Sequence, residues 1–426
     1  MKINHRFDLV TAINAAVFFA VLGYSIYSLF CYAFEFNGHA FYGIPKVQPV
    51  FADLRTLTHS SGCSASIDEL LKNLIDCDPF SSSFNYTPLS LTLLRILNVD
   101  STSTGVIGLT MGIIAIFTSI FVFFRSISSG LNLKIIFSTL FIGSFPFQLA
   151  LERGNYDLFI FVLLILFSLF VSSSRHLSGV LAKITITLAA ISSFLMSALK
   201  VFPAVGITIW YFAQKNDNRI KFGFLWTVLP AILGIVIQFD YIKSILANTP
   251  KPNGDYSFGL LALHQGSKFF YGVLLIKLLV IFTIVYIGLK YLRKNQPIKL
   301  FIQEKQEIFN LSFFIVAPVY FLSRSFDYRL IFLVFMLPLI LNLHSELQQN
   351  RTSKLLSLRQ ILGASIIFVA YEQYVPGTLG NLLSLFSDAV VQPILFAVLV
   401  CIVFQNHRFN VLFNWTLAVK RILKIR

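Results

Sequence analysis

The stretch "FIGSFPFQLALERGNYDLFIFVLLILFSLFV", residues 141–171, sets two acids, a base and an amide between two apolar segments. Glu152, Arg153, Asn155 and Asp157 crowd around Gly154, and both flanks are free of charge. A hydrocarbon core of about 30 Å takes about 20 mostly apolar residues per helix. The flanks therefore read as two membrane segments joined by a short charged turn, and that reading sets the fold.

The rest of the chain repeats the pattern. Of its 426 residues, 56% are hydrophobic and 12% charged, with a mean hydropathy of +0.76. A soluble domain carries about 25% charged residues. Further apolar runs lie near 8–34, 103–124, 178–197, 200–213, 221–239, 268–290, 307–323, 330–344, 360–373 and 383–404. The expectation is an all-α polytopic integral membrane protein with about 11–13 transmembrane helices. It forms one transmembrane domain over residues 1–426.

The net charge of +15 does not point to nucleic acid, because of where it falls. With the N-terminal "MKINHR" taken as cytoplasmic and sides alternating, most basic residues land in short cytoplasmic loops and tails, as the positive-inside rule expects. The basic tail, about 405–426, ends in "KRILKIR" and would lie against anionic headgroups. The expected partner is the membrane, with no nucleic acid and both termini cytoplasmic.

On the outward side the charges sit in short turns. Beside the opening stretch these are Lys200 in "SALKVFPAVGI", Arg324, Asp327 and Arg329 in "FLSRSFDYRLIFLVF", and Asp53 with Arg55 in "VFADLRTL". An ionisable group at membrane depth costs about 2.5–3.5 kcal/mol on insertion scales, so it usually faces a cavity and marks a site. Any one of them alone reads equally well as a turn residue in the headgroup layer. Four clusters on one side favour a site.

The first outward loop, about 35–102, is the longest and has internal order. In "SIDELLKNLI", Ser66 with Glu69 fits a capping box, and Ile67, Leu70, Leu71 and Leu74 form one apolar helix face. A second short helix starts at Pro88 in "NYTPLSLTLLRIL", since proline suits a first helical turn. Cys63 and Cys77 flank the first of these helices. They are either a disulfide, which an oxidising compartment permits, or two unrelated thiols. Cys31 and Cys401 read as core thiols. No Cys/His spacing fits a zinc site, and no P-loop, GxSxG or Rossmann fingerprint is present. "DCD" at Asp76–Asp78 matches a metal–nucleotide motif only superficially, because no nucleotide fold surrounds it.

A long first outward loop with an early Asp53, the element "FNYTPL" (84–89, containing Tyr86) and surface helices resembles the GT-C superfamily of membrane glycosyltransferases. "ERGNYDLFIFVLLIL", "LKVFPAVGITIWYF" with "QKNDNR", and "SRSFDYRLIFLVFMLPLIL" are similar, in order, to motifs of bacterial polyprenol-phosphate-mannose-dependent α-mannosyltransferases. Two departures stand out: Arg153-Gly154-Asn155 lacks the usual intervening residues, and "YTP" replaces a commoner "YPP". The resemblance implies a hexose, mannose in that family, moved from a polyprenyl-phosphate sugar donor to a lipid or glycan acceptor. The reaction would lie on the extracytoplasmic face of a bacterial plasma membrane, with no cofactor. It implies Asp53 as general base. The chemistry of transfer makes Arg153, Lys200, Arg324 and Arg329 the candidates for the donor phosphate and Asn155 one for its sugar hydroxyls, while Asp157, like Glu152, either holds those cations in place or binds sugar hydroxyls. Glu152, Asp327 and Tyr86 would support them. The rival readings are a lipid-linked oligosaccharide flippase or transporter, and an outer-leaflet polysaccharide polymerase. Transporters favour midplane sites in related halves, whereas the charges here favour one face and no internal repeat is visible.

Overall fold

The computed structural model describes residues 9–36, 41, 44, 51–72, 77, 84–127, 130–213, 223–248, 257–259, 270–294, 307–322, 325–342 and 353–406. Every apolar run named above carries helix. Among the described residues, six helical stretches are long and apolar enough to cross a membrane: Leu9–Ala33, Ser101–Ser126, Asp157–His176, Gly179–Leu199, Tyr271–Gly288 and Gly377–Cys401. The chain is an integral membrane protein whose described residues are predominantly helical.

In order, the helices before the first short strand are α1 (Leu9–Ala33), α2 (Ala52–Gly62), α3 (Ile67–Leu71), α4 (Pro88–Ile96), α5 (Thr104–Ser126), α6 (Leu131–Ile142), α7 (Phe145–Arg153), α8 (Asp157–His176), α9 (Gly179–Leu199), α10 (Phe202–Ala213), α11 (Phe224–Val236) and α12 (Phe239–Asn248). After it come α13 (Phe270–Lys294), α14 (Glu307–Leu322), α15 (Ile331–Phe335), α16 (Leu337–Asn342), α17 (Ser353–Tyr371), α18 (Gly377–Phe386) and α19 (Gln392–Asn406). Two two-residue strands, β1 (Ser257–Phe258) and β2 (Ser325–Phe326), pair antiparallel. Helix α8 packs on α9 and α5, α9 on α11, and α10 on α14. Around α1 gather α5 and α6.

Several apolar runs are bent rather than straight, and proline is the recurring reason. The apolar segment that leads into Glu152 breaks between α6 and α7 with a 52° bend. Pro146, in the first turn of α7, has no N–H for the Ile142 carbonyl four residues earlier. That carbonyl instead accepts from Gln148 Nε2 at 2.6 Å. Two more freed carbonyls, Leu140 and Gly143, accept from the hydroxyls of Tyr371 and Tyr374 at 2.7 and 3.0 Å. A buried carbonyl left unpaired would cost about 1–3 kcal/mol, so Gln148 together with Tyr371 at the end of α17 and Tyr374 just beyond it hold this bend and with it the direction of α7. The run over 330–344 likewise breaks at Met336, and α16 restarts with Pro338 in its first turn. A second bend, 67°, separates α11 from α12. There Gln238 Nε2 donates to the carbonyls of Ala198 and Gly234 at 2.7 and 2.8 Å.

The loop between α1 and α5 has a small core of its own. Leu57, Leu70, Leu71, Phe84, Leu91 and Ile245 are among its buried members. The capping box forms as read: Ser66 Oγ accepts from Glu69 N at 3.3 Å and Glu69 Oε2 from Ser66 N at 2.7 Å. Leu70 and Leu71 are buried and Ile67 packs beside them, while Leu74 lies outside the described residues. Helix α4 starts at Pro88, with Thr87 as its cap. Cys63 and Cys77 form a disulfide, Cα–Cα 6.0 Å. Arg95 closes the C-terminal end of α2 by donating to the carbonyls of Ser60, Cys63 and Ala65 at 3.3, 2.9 and 2.7 Å. The loop is thus a folded platform that presents the start of α2 to the helix bundle.

Candidate functional site

Five helix ends converge on one place. Asp53 lies in the first turn of α2 and Arg153 at the end of α7; Asp157 opens α8, Lys200 follows α9, and Arg329 sits in a 3₁₀ turn, Asp327–Leu330, ahead of α15. Helix α7 packs directly on that 3₁₀ turn.

The turn between α7 and α8 depends on Gly154. Its backbone is left-handed, φ 57° and ψ 37°, a conformation glycine adopts without penalty. A Cβ there would lie 2.9 Å from Cβ of Phe51. Phe51 is itself left-handed, φ 53°, and buried. Its ring fills the space over Gly108, where a Cβ would approach to 2.7 Å. Positive φ in a bulky non-glycine residue persists only where the surroundings impose it. Two glycines therefore seat Phe51, and Phe51 sets the start of α2, two residues before Asp53.

Asn155 connects the two acids. Its Oδ1 accepts from the Asp157 backbone N–H at 2.8 Å, which orients the amide so that its Nδ2 donates to Asp53 Oδ2. Asp53 Oδ1 makes no hydrogen bond among the described residues. Tyr86 donates its hydroxyl to the Asp53 backbone carbonyl and packs edge-on against Tyr156. Burial pushes the Asp53 carboxyl above the usual carboxylate range, while Arg153, the Asn155 hydrogen bond and Lys200 pull it back down. Burial also holds the Tyr86 phenol well above its ordinary value.

Asp157 is fully enclosed and shares its carboxylate between two cations. Oδ1 meets Lys200 Nζ at 2.7 Å, and Oδ2 meets Arg329 Nε at 3.1 Å. Its place in the first turn of α8 adds the favourable end of the helix dipole. The side chains of Lys200 and Arg329 are each 17% exposed, and both keep donors beyond the one spent on Asp157. Lys200 lies 5.9 Å from the centroid of the Tyr328 ring and Arg329 5.0 Å from that of Phe202. Arg153 pairs with Glu152 at 3.3 Å, and Glu152, buried, accepts from Tyr32 at 3.3 Å. Among the described residues, three carboxylates and three cations gather here. The balance is neutral before a ligand arrives, so an anion would draw on cations already oriented by buried acids.

Of the residues singled out in the sequence, Asp53, Tyr86, Glu152, Arg153, Asn155, Asp157, Lys200 and Arg329 therefore come together. Arg324 lies outside the described residues, as does the side chain of Asp327. Arg55, grouped with Asp53 in the sequence, turns away to Glu35 at 2.6 Å. The sequence reading missed Tyr32, Phe51, Phe202 and Tyr328. Phe202 and Tyr328 adjoin charged positions in "KVF" and "DYR", which is the one signal they carry; Tyr32 and Phe51 look like ordinary apolar-run residues. No group of three or more His, Cys, Asp or Glu is placed to hold a metal ion among the described residues.

No family model matches the chain, and no curated protein matches it. Among solved structures it is similar to the crystal structure of ArnT from Cupriavidus metallidurans in the apo state. That similarity has a TM-score of 0.38 at 10% identity, over 94% of this chain and 76% of that one. A likeness of that degree carries no argument about chemistry.

Proposed function

We propose that the protein is a glycosyltransferase that moves a hexose from a polyprenyl-phosphate sugar to a lipid or glycan acceptor at the extracytoplasmic face. The observation that carries the reading is the enclosed Asp157 carboxylate, which holds Lys200 and Arg329 side by side next to an Asp53 tethered through Asn155. A base beside a pair of pre-oriented cations is what transfer from a lipid phosphate needs.

In this reading Asp53 Oδ1 takes the proton of the acceptor hydroxyl as that oxygen bonds to the sugar's anomeric carbon. The bond from that carbon to the phosphate oxygen breaks, and its electron pair stays on the phosphate. Lys200, Arg329 and Arg153 meet the added charge, with the planar guanidinium of arginine suited to two phosphate oxygens. Asn155 keeps the carboxylate facing the acceptor. The Cys63–Cys77 disulfide supports an oxidising compartment for this side of the protein.

The test is transfer of radiolabelled sugar from a polyprenyl-phosphate hexose by purified protein, with donor binding measured in parallel. Asp53→Asn is expected to keep donor binding and lose transfer by about 10²–10⁴-fold, the usual contribution of a general base. Transfer within a few-fold of wild type would remove Asp53 as the base. Lipid movement by the wild type without any transfer would instead favour a flippase.

A further inference from the structure

A second set of polar groups lies among the membrane helices, and no step of the proposed transfer uses it. Lys277, in the apolar stretch Tyr271–Gly288 of α13, is 0% exposed. A lysine inside such a segment costs about 2.5–3.5 kcal/mol on insertion scales and calls for a partner and a purpose. Its Nζ donates to the Gly259 carbonyl at 3.5 Å, and Asp388 is within electrostatic reach. Asp388 accepts from Gln392 Nε2 at 2.7 Å and stands on a π-helical turn, Ser387–Val391, a rare geometry that recurs at functional sites. Tyr320, buried on α14, stacks on Phe396 with centroids 3.9 Å apart and is also within electrostatic reach of Asp388.

What Lys277 holds leads back to the site. Gly259 directly follows β1, whose Ser257 and Phe258 pair with Phe326 and Ser325 of β2. β2 runs straight into the 3₁₀ turn that carries Arg329, and Arg329 meets Asp157. A pair of two-residue strands cannot hold itself in place, because isolated two-stranded pairings are at best marginal.

We propose that Lys277 is a positioning residue whose side chain anchors β1 through the Gly259 carbonyl. β1 in turn keeps β2 and the Arg329 turn against Asp157. The consequence for ligand binding rests on the phosphate reading above; the anchoring itself does not.

Hydrogen exchange on the full chain, with undecaprenyl phosphate binding measured on the same samples, tests this. The decisive variant is Lys277→Met combined with Asp388→Asn, which removes both charges and so avoids leaving one buried and unpaired. The expected result is exchange over Ser325–Leu330 about tenfold faster than wild type, with α8 and α9 unchanged. Undecaprenyl phosphate should bind several-fold more weakly, and Lys277→Arg, which keeps a charged donor, should stay near wild type in both. Wild-type exchange over Ser325–Leu330 in the double variant would overturn the proposal, as would a uniform rise through α8 and α9, the mark of a global stabilising pair. Faster exchange with unchanged affinity would support the anchoring and overturn its consequence for ligand binding. Failure of the wild type to bind undecaprenyl phosphate would count against the functional reading, and the exchange result would stand apart from it.

Discussion

Where the ends of α2, α7, α8 and α9 meet the 3₁₀ turn before α15, three carboxylates gather with three cations whose side chains are 17–23% exposed, whereas Lys277 on α13 is fully enclosed and directed at a backbone carbonyl. Both clusters put charge next to apolar helices, and the difference lies in where the remaining donors point. A partly exposed cation held by a buried acid has N–H groups left for a ligand. An enclosed cation has them only for the protein. The first arrangement suits binding, and the second suits holding a backbone segment still.

The strongest way to break this contrast is to remove the acid that organises the first cluster. Asp157→Ala would leave Lys200 and Arg329 without their buried counterion, and losing one partner of a buried pair typically costs about 3–5 kcal/mol. Thermal unfolding in detergent is expected to show a drop of that order. A change under 1 kcal/mol would mean the cations are hydrated rather than held.

Next in size is the disulfide. Its cysteines are 14 residues apart, and closing a loop of about that length constrains the unfolded chain by about 3 kcal/mol. Cys63→Ser with Cys77→Ser should lower the unfolding temperature and speed hydrogen exchange in α2. Lys277 and α13 are tied to other elements, so exchange there should not change. Equal loosening of both regions would mean the clusters are not independent.

Gly154→Ala is smaller and more local. A left-handed backbone costs an L-residue about 1–2 kcal/mol, and the new methyl would press on Phe51, 2.9 Å away. Because Phe51 leads into α2, the expected outcome is a transfer defect larger than the stability loss explains. Activity per folded molecule checks it.

The smallest effect, and the one that sharpens the chemistry, is Asn155→Ala. The amide donates to the charged form of Asp53 and so lowers its pKa; removing it should raise a carboxyl already displaced upward by burial. A base must be deprotonated, so activity is lost as pH falls through the Asp53 pKa. The acid limb of the pH–rate profile should therefore move to higher pH in the variant. An unmoved limb would assign that titration to another group.

Much of this could be read in order along the chain. The apolar runs became helices because a segment in lipid must satisfy its own backbone hydrogen bonds. Ser66 with Glu69 and Pro88 marked real helix starts, because caps and first-turn prolines act within a few residues. Asp53, Asn155, Asp157, Lys200 and Arg329 stood out because charge beside apolar sequence is costly and rarely without purpose. The bends at Ile142 and Met336 were harder to see. Proline announces that a helix cannot run on, but not that Gln148, Tyr371 and Tyr374 would take up the freed carbonyls.

By itself the sequence determined the class of the protein, its helical segments and which charged residues sit at their ends. Each of these follows from the cost of exposing a backbone group or a charge to hydrocarbon, a cost set within one segment. Only the tertiary structure decided the pairings: Asp157 with both Lys200 and Arg329, Asn155 between two acids, Arg55 away from Asp53, and Lys277 on Gly259. A pairing depends on which of several helix ends come within about 3 Å of one another. That is fixed by bends, seated rings such as Phe51 and the packing of distant helices, none of which leaves a local trace in the chain.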